Sequence, residues 1–214
     1  LTTTNEVENF PGYPEGITGP ELMVDLQKQA ERFGTDVRFG MVTATDLSAA
    51  PYKVTIDGEK QIEAETIIIS TGATAKYLGL PDETKYAGSG VSACATCDGF
   101  FYRKRKVAVV GGGDTACEEA SYLSGLADKV FLIVRKPFLR ASKIMQERVL
   151  KNPKIEVLFE YEAVGLTGDK VVQGADLVRR RGQSDEEQLH IEIDGFFLAI
   201  GHKPNSDVFK PWIE

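Results

Sequence analysis

The segment Val107-Ala108-Val109-Val110-Gly111-Gly112-Gly113-Asp114-Thr115-Ala116 decides the fold of this chain. Its four consecutive apolar residues predict a buried strand, and its three glycines predict a tight turn. Residues 114–126 then follow a helical pattern, and residues 130–134 form the next apolar run. A strand, a tight turn, a helix and a second strand in this order indicate a parallel sheet covered by helices, which is the α/β class.

The glycines of that segment fit the pattern G-x-G-x-x-A, which is typical of dinucleotide binding. Gly111 permits the turn, Gly113 lets the backbone approach a pyrophosphate, and Ala116 lets helix and strand pack closely. The helix that begins at Asp114 offers free N–H groups to the phosphates. The predicted nucleotide contacts in this segment are therefore Gly111, Gly113, Asp114, Thr115 and Ala116. The alternative is a glycine-rich turn without a ligand, but the flanking strand and helix favour a dinucleotide site.

The end of the second predicted strand indicates which dinucleotide is bound. An NAD site places Asp or Glu about 20 residues after the glycines, where the carboxylate binds the ribose 2′-hydroxyl. This chain instead has Val134-Arg135-Lys136, with Arg140 close behind. Three cations suit a dianionic 2′-phosphate, so the sequence predicts NADPH. The alternative is a solvated basic surface without a ligand. The position of the cluster, at the end of the strand where the nucleotide type is recognised, argues against that alternative.

Two cysteines stand at C-x-x-C spacing in Cys94-Ala95-Thr96-Cys97. They could bind zinc, but a structural zinc site needs four ligands, and Cys117, His190 and His202 form no second paired motif. A dithiol/disulfide exchanger needs only the pair and a proton source, for which Asp98 is a candidate. We therefore predict a redox-active pair and no metal. Cys117, which leans inward on the predicted helix, is interpreted as structural.

The remaining elements follow from weaker local patterns. A loop rich in proline and glycine precedes a predicted helix over residues 21–33, with Gly34 as its stop. Alternating residues predict a hairpin around Asp57-Gly58, whose second strand covers residues 62–69. Farther along, the sequence predicts a helix over residues 142–150, a strand over residues 155–159, and an antiparallel addition of three strands over residues 175–180, 189–193 and 196–200.

Composition limits the possible functions. The chain has 214 residues, of which 42% are hydrophobic and 27% charged, as in globular proteins. A net charge of −7 gives no support for nucleic acid or anionic membranes as partners. The longest strand-like apolar cluster, residues 66–70, is far too short to cross a bilayer. Residues 1–5 do not resemble a signal peptide, and the missing initiator Met suggests a start farther upstream. Three cysteines, two of them at C-x-x-C spacing, favour cytosolic metal or redox chemistry over a secreted domain stabilised by disulfides.

The sequence closely resembles a known family at several blocks. Cys94-Ala95-Thr96-Cys97-Asp98-Gly99-Phe100-Phe101-Tyr102 and the glycine-rich segment are similar to those of the low-molecular-weight, bacterial and plant type of NADPH-dependent thioredoxin reductase. The resemblance extends over essentially the whole chain and includes Ser70-Thr71-Gly72-Ala73 and Ala199-Ile200-Gly201-His202. It implies a homodimeric flavoenzyme in which hydride passes from NADPH to FAD, and electrons then pass through the cysteine pair to thioredoxin. It also implies that the NADPH domain rotates relative to the FAD domain.

The resemblance implies roles for individual residues. Cys97 would face the flavin, Cys94 would attack the disulfide of thioredoxin, and Asp98 would be the acid/base. FAD-contacting positions correspond to Asn9 and Val42, and NADP-contacting positions correspond to Thr115, Arg135, Lys136, Arg140 and Ile200. The family usually has His-Arg-Arg where this chain has Val134-Arg135-Lys136. Lysine keeps the charge of the second arginine but loses its bidentate fork.

The resemblance also implies the domain organisation. We expect a partial FAD-binding domain over residues 1–76, an NADPH-binding domain over residues 77–204 and a return segment over residues 205–214. The NADPH domain would be a Rossmann-like three-layer α/β unit with an antiparallel β addition, inserted in an FAD domain of the pyridine nucleotide-disulfide oxidoreductase type. The family's first βαβ unit and its last FAD segment have no counterpart here, so residues 1–76 should expose apolar surface.

Three other functions compete with this one. A related flavoprotein could pass electrons to a different disulfide partner, as the reductase subunit of a peroxidase system does. An isolated NADPH-binding module would bind the nucleotide without turnover. A zinc-stabilised structural domain is the third alternative. Ferredoxin-NADP reductase relatives share the fold but lack the cysteine pair, so the sequence argues against that assignment.

Overall fold

A computed structural model describes residue 7 and residues 10–213. The chain divides into two compact units. Unit 1 comprises Leu1–Gly72 and Pro204–Glu214, and unit 2 comprises Ala73–Lys203. The expected boundaries after residues 76 and 204 differ from these by only a few residues. The assignment of FAD to unit 1 and of NADPH to unit 2 remains a prediction.

Unit 1 contains one helix and a small antiparallel sheet. Helix α1 (Gly19–Arg32) begins at Thr18, whose side-chain oxygen accepts the backbone N–H of Glu21, and it has Pro20 in its first turn. Strands β1 (Val42–Asp46), β2 (Tyr52–Ile56) and β3 (Lys60–Ala64) pair in the order β1-β2-β3. The predicted turn at Asp57-Gly58 is confirmed, since both residues have positive φ. A short 3-10 helix, Asp207–Phe209, completes the unit.

The second strand of the predicted hairpin is shorter than the sequence suggested. Strand β3 ends at Ala64, and residues 66–72 have no regular secondary structure. An apolar run becomes a strand only where a neighbouring strand pairs with it, and none of the described strands does so here. Ile68 is consequently 91% exposed, and Phe39 is 90% exposed. Unit 1 therefore carries the exposed apolar surface that was expected for it.

Unit 2 is built on a five-stranded parallel sheet. Its strands are β5 (Val91–Ser92), β6 (Lys106–Val110), β7 (Lys129–Val134), β8 (Ile155–Phe159) and β12 (Gly195–Leu198), in the order β5-β12-β6-β7-β8. A second sheet is antiparallel, with β9 (Tyr161–Thr167), β10 (Gly174–Arg179) and β11 (Glu187–Glu192). The short strands β4 (Ala73–Ala75) and β13 (His202–Pro204) pair with each other. The helices of the unit are α2 (Pro81–Lys85), α3 (Ala95–Asp98), α4 (Asp114–Ser124) and α5 (Lys143–Leu150).

The parallel sheet lies between two different layers. Side chains alternate along β6, so Val107 and Val109 pack with the core residues of α4 and α5. Ala108 and Val110 pack instead with the core residues of the antiparallel sheet. Every one of these four side chains is buried, which explains why the strand is a continuous apolar run. The three-layer α/β fold is confirmed.

The third strand of the predicted antiparallel addition belongs elsewhere. Strand β12 pairs in parallel with β5 and with β6, so it lies inside the central sheet. Phe196, Phe197 and Leu198 are all buried, because a strand with a covered layer on each side needs apolar residues on both faces. The third strand of the antiparallel sheet is instead β9, which the sequence analysis missed and which pairs with β10. In the described part of the chain, no helix is long and apolar enough to cross a membrane.

Candidate functional site

A cavity of about 610 Å³ opens at the carboxyl ends of β6, β7 and β12. Its wall includes the glycine-rich turn, the end of β7 and the residues after β12. Nucleotide sites in parallel sheets lie at this edge, and cavities of ~300–1,000 Å³ hold cofactor-sized ligands. Of the predicted nucleotide contacts, those that line this cavity are Gly111, Gly113, Thr115, Arg135, Lys136, Arg140 and Ile200.

The glycines of the turn have different physical roles. Gly111 has φ of +148°, and a Cβ there would lie 2.4 Å from the carbonyl oxygen of Ala199 and 2.8 Å from the Cβ of Ala116. Only glycine fits such a close approach of strand, turn and helix. A Cβ on Gly113 would meet no atom within 4 Å. The space beside Gly113 is therefore open to a ligand, and Ala116 acts through packing, since it is fully buried.

Four cations surround the cavity without ion pairs to any described residue. They are Arg135, Lys136, Arg140 and Arg181. The neighbours of Arg181 differ, because Arg179 and Arg180 both contact the carboxylate of Glu160. One carboxylate, that of Glu162, also lines the cavity. An excess of unpaired positive charge at the edge of a cavity favours a polyanionic ligand. The sequence analysis missed Arg181, which is distant along the chain and gives no local signal.

The basic loop after β7 is tied to the glycine-rich turn. Arg140 donates its backbone N–H to the carbonyl oxygen of Gly112 at 2.6 Å. Ser142 donates its backbone N–H to the Asp114 carboxylate at 2.9 Å, and this bond holds the pKa of Asp114 below its usual range. Asp114 does not line the cavity, although it was predicted among the nucleotide contacts. Its side chain orients the basic loop.

The two cysteines of the C-x-x-C motif form a disulfide bond directly after the edge strand β5. Ser92, the last residue of β5, accepts the backbone N–H of Cys94 at 3.0 Å with its hydroxyl oxygen. Cys97 donates its backbone N–H to the sulfur of Cys94 at 3.2 Å. Cys97 is exposed, and Cys94 is half-buried. The accessible disulfide is therefore held from its amino-terminal side by a hydroxyl that the sequence analysis missed.

The residues around the disulfide anchor it to the core. Ala95 is buried against the helical layer, and a Cβ on Gly99 would lie 2.9 Å from the side chain of Leu123. Tyr102 packs edge-to-face on Phe197, with ring centroids 5.2 Å apart. Burial, followed by the charge of Asp98, raises the pKa of Tyr102. Asp98 itself is the last residue of α3, adjacent to Cys97.

The remaining cysteine and the two histidines belong neither to the cavity lining nor to the disulfide. Cys117 is free and fully buried, and burial raises the pKa of its thiol, which fits its interpretation as a structural residue. His190 contacts Asp176 at 2.7 Å on the antiparallel sheet, and His202 is exposed. No cluster of three or more potential metal ligands occurs among the described residues.

The disulfide and the cavity are separate sites on one sheet. The disulfide follows β5, whereas the cavity lies beyond β6, β7 and β12, and none of Cys94, Cys97 and Asp98 lines it.

The two predicted cofactors fit the described residues differently. The open space beside Gly113 and the four unpaired cations fit the pyrophosphate and the 2′-phosphate of NADPH. For FAD, Asn9 lies outside the described residues, and Val42 is the first residue of β1 in unit 1. The described residues therefore include one of the two predicted FAD contacts, and FAD binding remains a prediction.

Comparison with known proteins gives the class. The family described as pyridine nucleotide-disulphide oxidoreductase matches residues 2–211, and the chain therefore belongs to that family. Within the family, the chain is similar to thioredoxin reductases. The thioredoxin reductase of Vibrio cholerae is 46% identical over 217 residues, which cover 100% of this chain and 67% of that protein. The solved thioredoxin reductase of Giardia duodenalis is 35% identical with a TM-score of 0.76, covering 96% of this chain and 66% of that chain.

Two facts qualify the transfer of an activity from these relatives. The chain spans about two thirds of the length of the curated relatives that it matches. A Pseudomonas fluorescens protein named glucosaminate ammonia-lyase is also 46% identical, over 98% of this chain and 65% of that protein. Sequence identity alone therefore does not select the activity, and the chemistry of the site has to do so.

Proposed function

We propose that the whole protein is an NADPH-dependent thioredoxin-disulfide reductase that uses FAD as the intermediate carrier. The proposal rests on one observation: an accessible disulfide and a cation-lined cavity follow different strands of the same parallel sheet. A lyase would not require this pair of sites. A disulfide reductase requires both, because it must take electrons from a nucleotide and pass them to sulfur.

The cavity supports NADPH as the electron source. When bound, NADPH supplies a hydride, and the residues of this chain orient it. The turn leaves open space beside Gly113, which we assign to the pyrophosphate, and we assign recognition of the 2′-phosphate to Arg135 and Arg140, which line the cavity. Lys136 adds charge without a planar fork. We therefore propose that the protein binds NADPH more tightly than NADH.

The surroundings of the disulfide support a protein substrate. Phe100 and Phe101, directly after the C-x-x-C helix, are 62% and 68% exposed. Exposed aromatic side chains next to a reactive group favour docking of another protein, for which we propose thioredoxin. The net reaction converts NADPH, a proton and thioredoxin disulfide into NADP⁺ and thioredoxin dithiol. Following the resemblance, Cys94 would attack the partner, Cys97 would face the flavin and Asp98 would transfer protons.

The decisive experiment follows NADPH oxidation by the full-length protein in the presence of thioredoxin. We expect turnover in the wild type and a fall to background in Cys97→Ser, because one thiol cannot complete the disulfide exchange. Cys117→Ser is the matched control, since that cysteine is buried away from the cavity, and it should retain activity. Thioredoxin reduction at the wild-type rate by Cys97→Ser would refute the proposed chemistry.

Flavin absorbance separates the proposal from its alternatives. A yellow protein that bleaches with NADPH supports a reductase, whereas a colourless protein that binds NADPH would be a binding module. A protein that bleaches but fails to reduce thioredoxin would be a reductase with another disulfide partner. A cytoplasmic location and a homodimer belong to the same proposal. Size-exclusion chromatography of the full-length protein with light scattering tests the dimer.

A further inference from the structure

Glu119 lies on α4, the helix that follows the glycine-rich turn and packs against α3. Its carboxyl group contacts the backbone N–H of Ala95, the first residue of α3. That N–H belongs to the peptide group that joins Cys94 to Ala95. The carboxyl is therefore attached to the backbone of the redox centre itself. Glu119 belongs to neither the dinucleotide cavity nor the set of predicted site residues.

The environment of Glu119 is unusual for a helical glutamate. Its Oε2 atom is buried and has no hydrogen-bond partner. Burial raises the pKa of Glu119 to about 7, while the bond from Ala95 acts in the opposite direction. An unpartnered carboxylate oxygen in a buried site is costly, which disfavours the charged form. The group can therefore change its charge within the pH range in which disulfide exchange operates.

We propose that Glu119 is a positioning residue of the redox centre: by its contact with Ala95 it couples its own protonation to the stability of the reduced Cys94–Cys97 pair. This inference rests on the proposed exchange chemistry of that pair. Reduction breaks the S–S bond and adds two electrons. It takes up two protons when both products are thiols and one when a thiol and a thiolate form.

The direction of the coupling follows from electrostatics. A negative charge on Glu119, which contacts the backbone of the residue next to Cys94, disfavours a thiolate at Cys94, whereas a neutral Glu119 does not. Above neutral pH the wild type should therefore form the thiolate less readily than a variant with a permanently neutral side chain. Below neutral pH the two should behave alike. A glutamate that merely capped the backbone would produce no such dependence on pH.

Other titratable groups lie near Glu119 on α4 and α3. On α4, Glu118 precedes it, and its charge raises the pKa of Glu119 further, while Tyr122 lies one turn on. Helix α3, which packs against α4, contains Cys97 and Asp98, and Cys94 directly precedes it. Because Glu118 is exposed, it offers a charge change on the same helix without the contact to Ala95.

The test measures the dithiol/disulfide equilibrium of this chain in dithiothreitol redox buffers from pH 6 to 8.5. Free thiols are alkylated and counted by mass spectrometry. Glu119→Gln keeps an oxygen that can accept the Ala95 N–H, but it removes the charge. We expect its equilibrium to match the wild type at pH 6 and to favour the reduced form by about threefold to tenfold at pH 8.5. The pH profile of the alkylation rate at Cys94 should shift to lower pH by about one unit.

Two outcomes would overturn the inference. Wild-type and Glu119→Gln curves that run parallel over the whole pH range would show that Glu119 is only structural. The same pH-dependent change in Glu118→Gln would show a general charge effect. Removal of the Glu118 charge should only lower the pKa of Glu119, so the Glu118→Gln curve should depart from the Glu119→Gln curve at a lower pH than the wild-type curve does. The experiment needs neither NADPH, flavin nor thioredoxin. Its failure is therefore distinguishable from failure of the proposed reductase activity.

Discussion

Arg140 donates its backbone N–H to the carbonyl oxygen of Gly112, so the basic loop after β7 is fixed against the glycine-rich turn. This contact sets the position of the Arg140 backbone independently of any ligand. Arg135 directly follows β7, and both Arg135 and Arg140 line the cavity. Their positions make the choice between NADPH and NADH testable at the level of binding.

The variant Arg135→Ala together with Arg140→Ala should weaken NADPH binding by roughly 100-fold and NADH binding by less than about threefold. The reason is that charge-assisted bonds to a 2′-phosphate contribute about 1.5–3 kcal/mol each, and NADH lacks that group. Calorimetric titration with both nucleotides measures the effect. Lys143→Ala, on α5 outside the cavity lining, is the control. Equal losses for both nucleotides would defeat the assignment.

Two glycine substitutions should separate folding from binding. Gly111→Ala places a Cβ against the carbonyl oxygen of Ala199 at positive φ, and should destabilise the chain by roughly 2–5 kcal/mol. Gly113→Ala has φ of −94° and open space around its Cβ, so stability should be unchanged. The new methyl group would nevertheless occupy the proposed pyrophosphate position and abolish NADPH binding. Urea unfolding and nucleotide titration give the two readouts, and undiminished binding by Gly113→Ala would contradict the placement of the pyrophosphate.

Arg181→Ala tests the cation that local sequence patterns do not reveal. Since Arg181 is exposed at the edge of the cavity, we expect NADPH affinity to fall by about threefold to tenfold at low salt. The loss should shrink as ionic strength rises, because solvent-exposed charges are screened. Lys170→Ala, an exposed cation outside the cavity lining, should have no effect. A loss that is independent of salt would point to a structural role instead.

The titration of Glu119 should also change how the stability of the fold depends on pH. Its folded-state pKa of about 7 lies above the ordinary value of 4.5, so the folded state holds more protons between these two values. Stability from this group is therefore present below pH 4.5 and declines as pH rises towards 7. Between pH 5 and 8, the wild type should lose about 2–4 °C more in Tm than Glu119→Gln. Thermal unfolding at both pH values provides the measurement, and identical pH profiles would exclude the effect.

The sequence predicts the region from β6 to β7 almost to the residue. There the strand, the glycine-rich turn and the helix each carry a local signal, and the three signals agree. The same holds for the disulfide and for the basic residues after β7. Arg135, Lys136 and Arg140 line the cavity because the carboxyl ends of parallel strands meet at one edge. Binding of a nucleotide there remains a prediction.

What sequence reasoning misplaces depends on partners that are distant along the chain. Strand β12 is a short apolar run, and such a run does not reveal whether it pairs in parallel or antiparallel. Residues 66–69 are strand-like in pattern, but none of the described strands pairs with them. Arg181 reaches the cavity only through the fold of the antiparallel sheet. Glu119 reads as an ordinary helical glutamate until α3 is seen packed against α4.

The pairing of β4 with β13 has a consequence for protein engineering. The two strands mark the entrance and the exit of unit 2, so the ends of this segment are neighbours. A segment whose ends are close together can be transplanted into a surface loop of another protein with little strain on the host. Residues 73–203 are therefore a candidate for a portable insert, one that would carry a thiol switch and a cation-lined pocket into an unrelated scaffold.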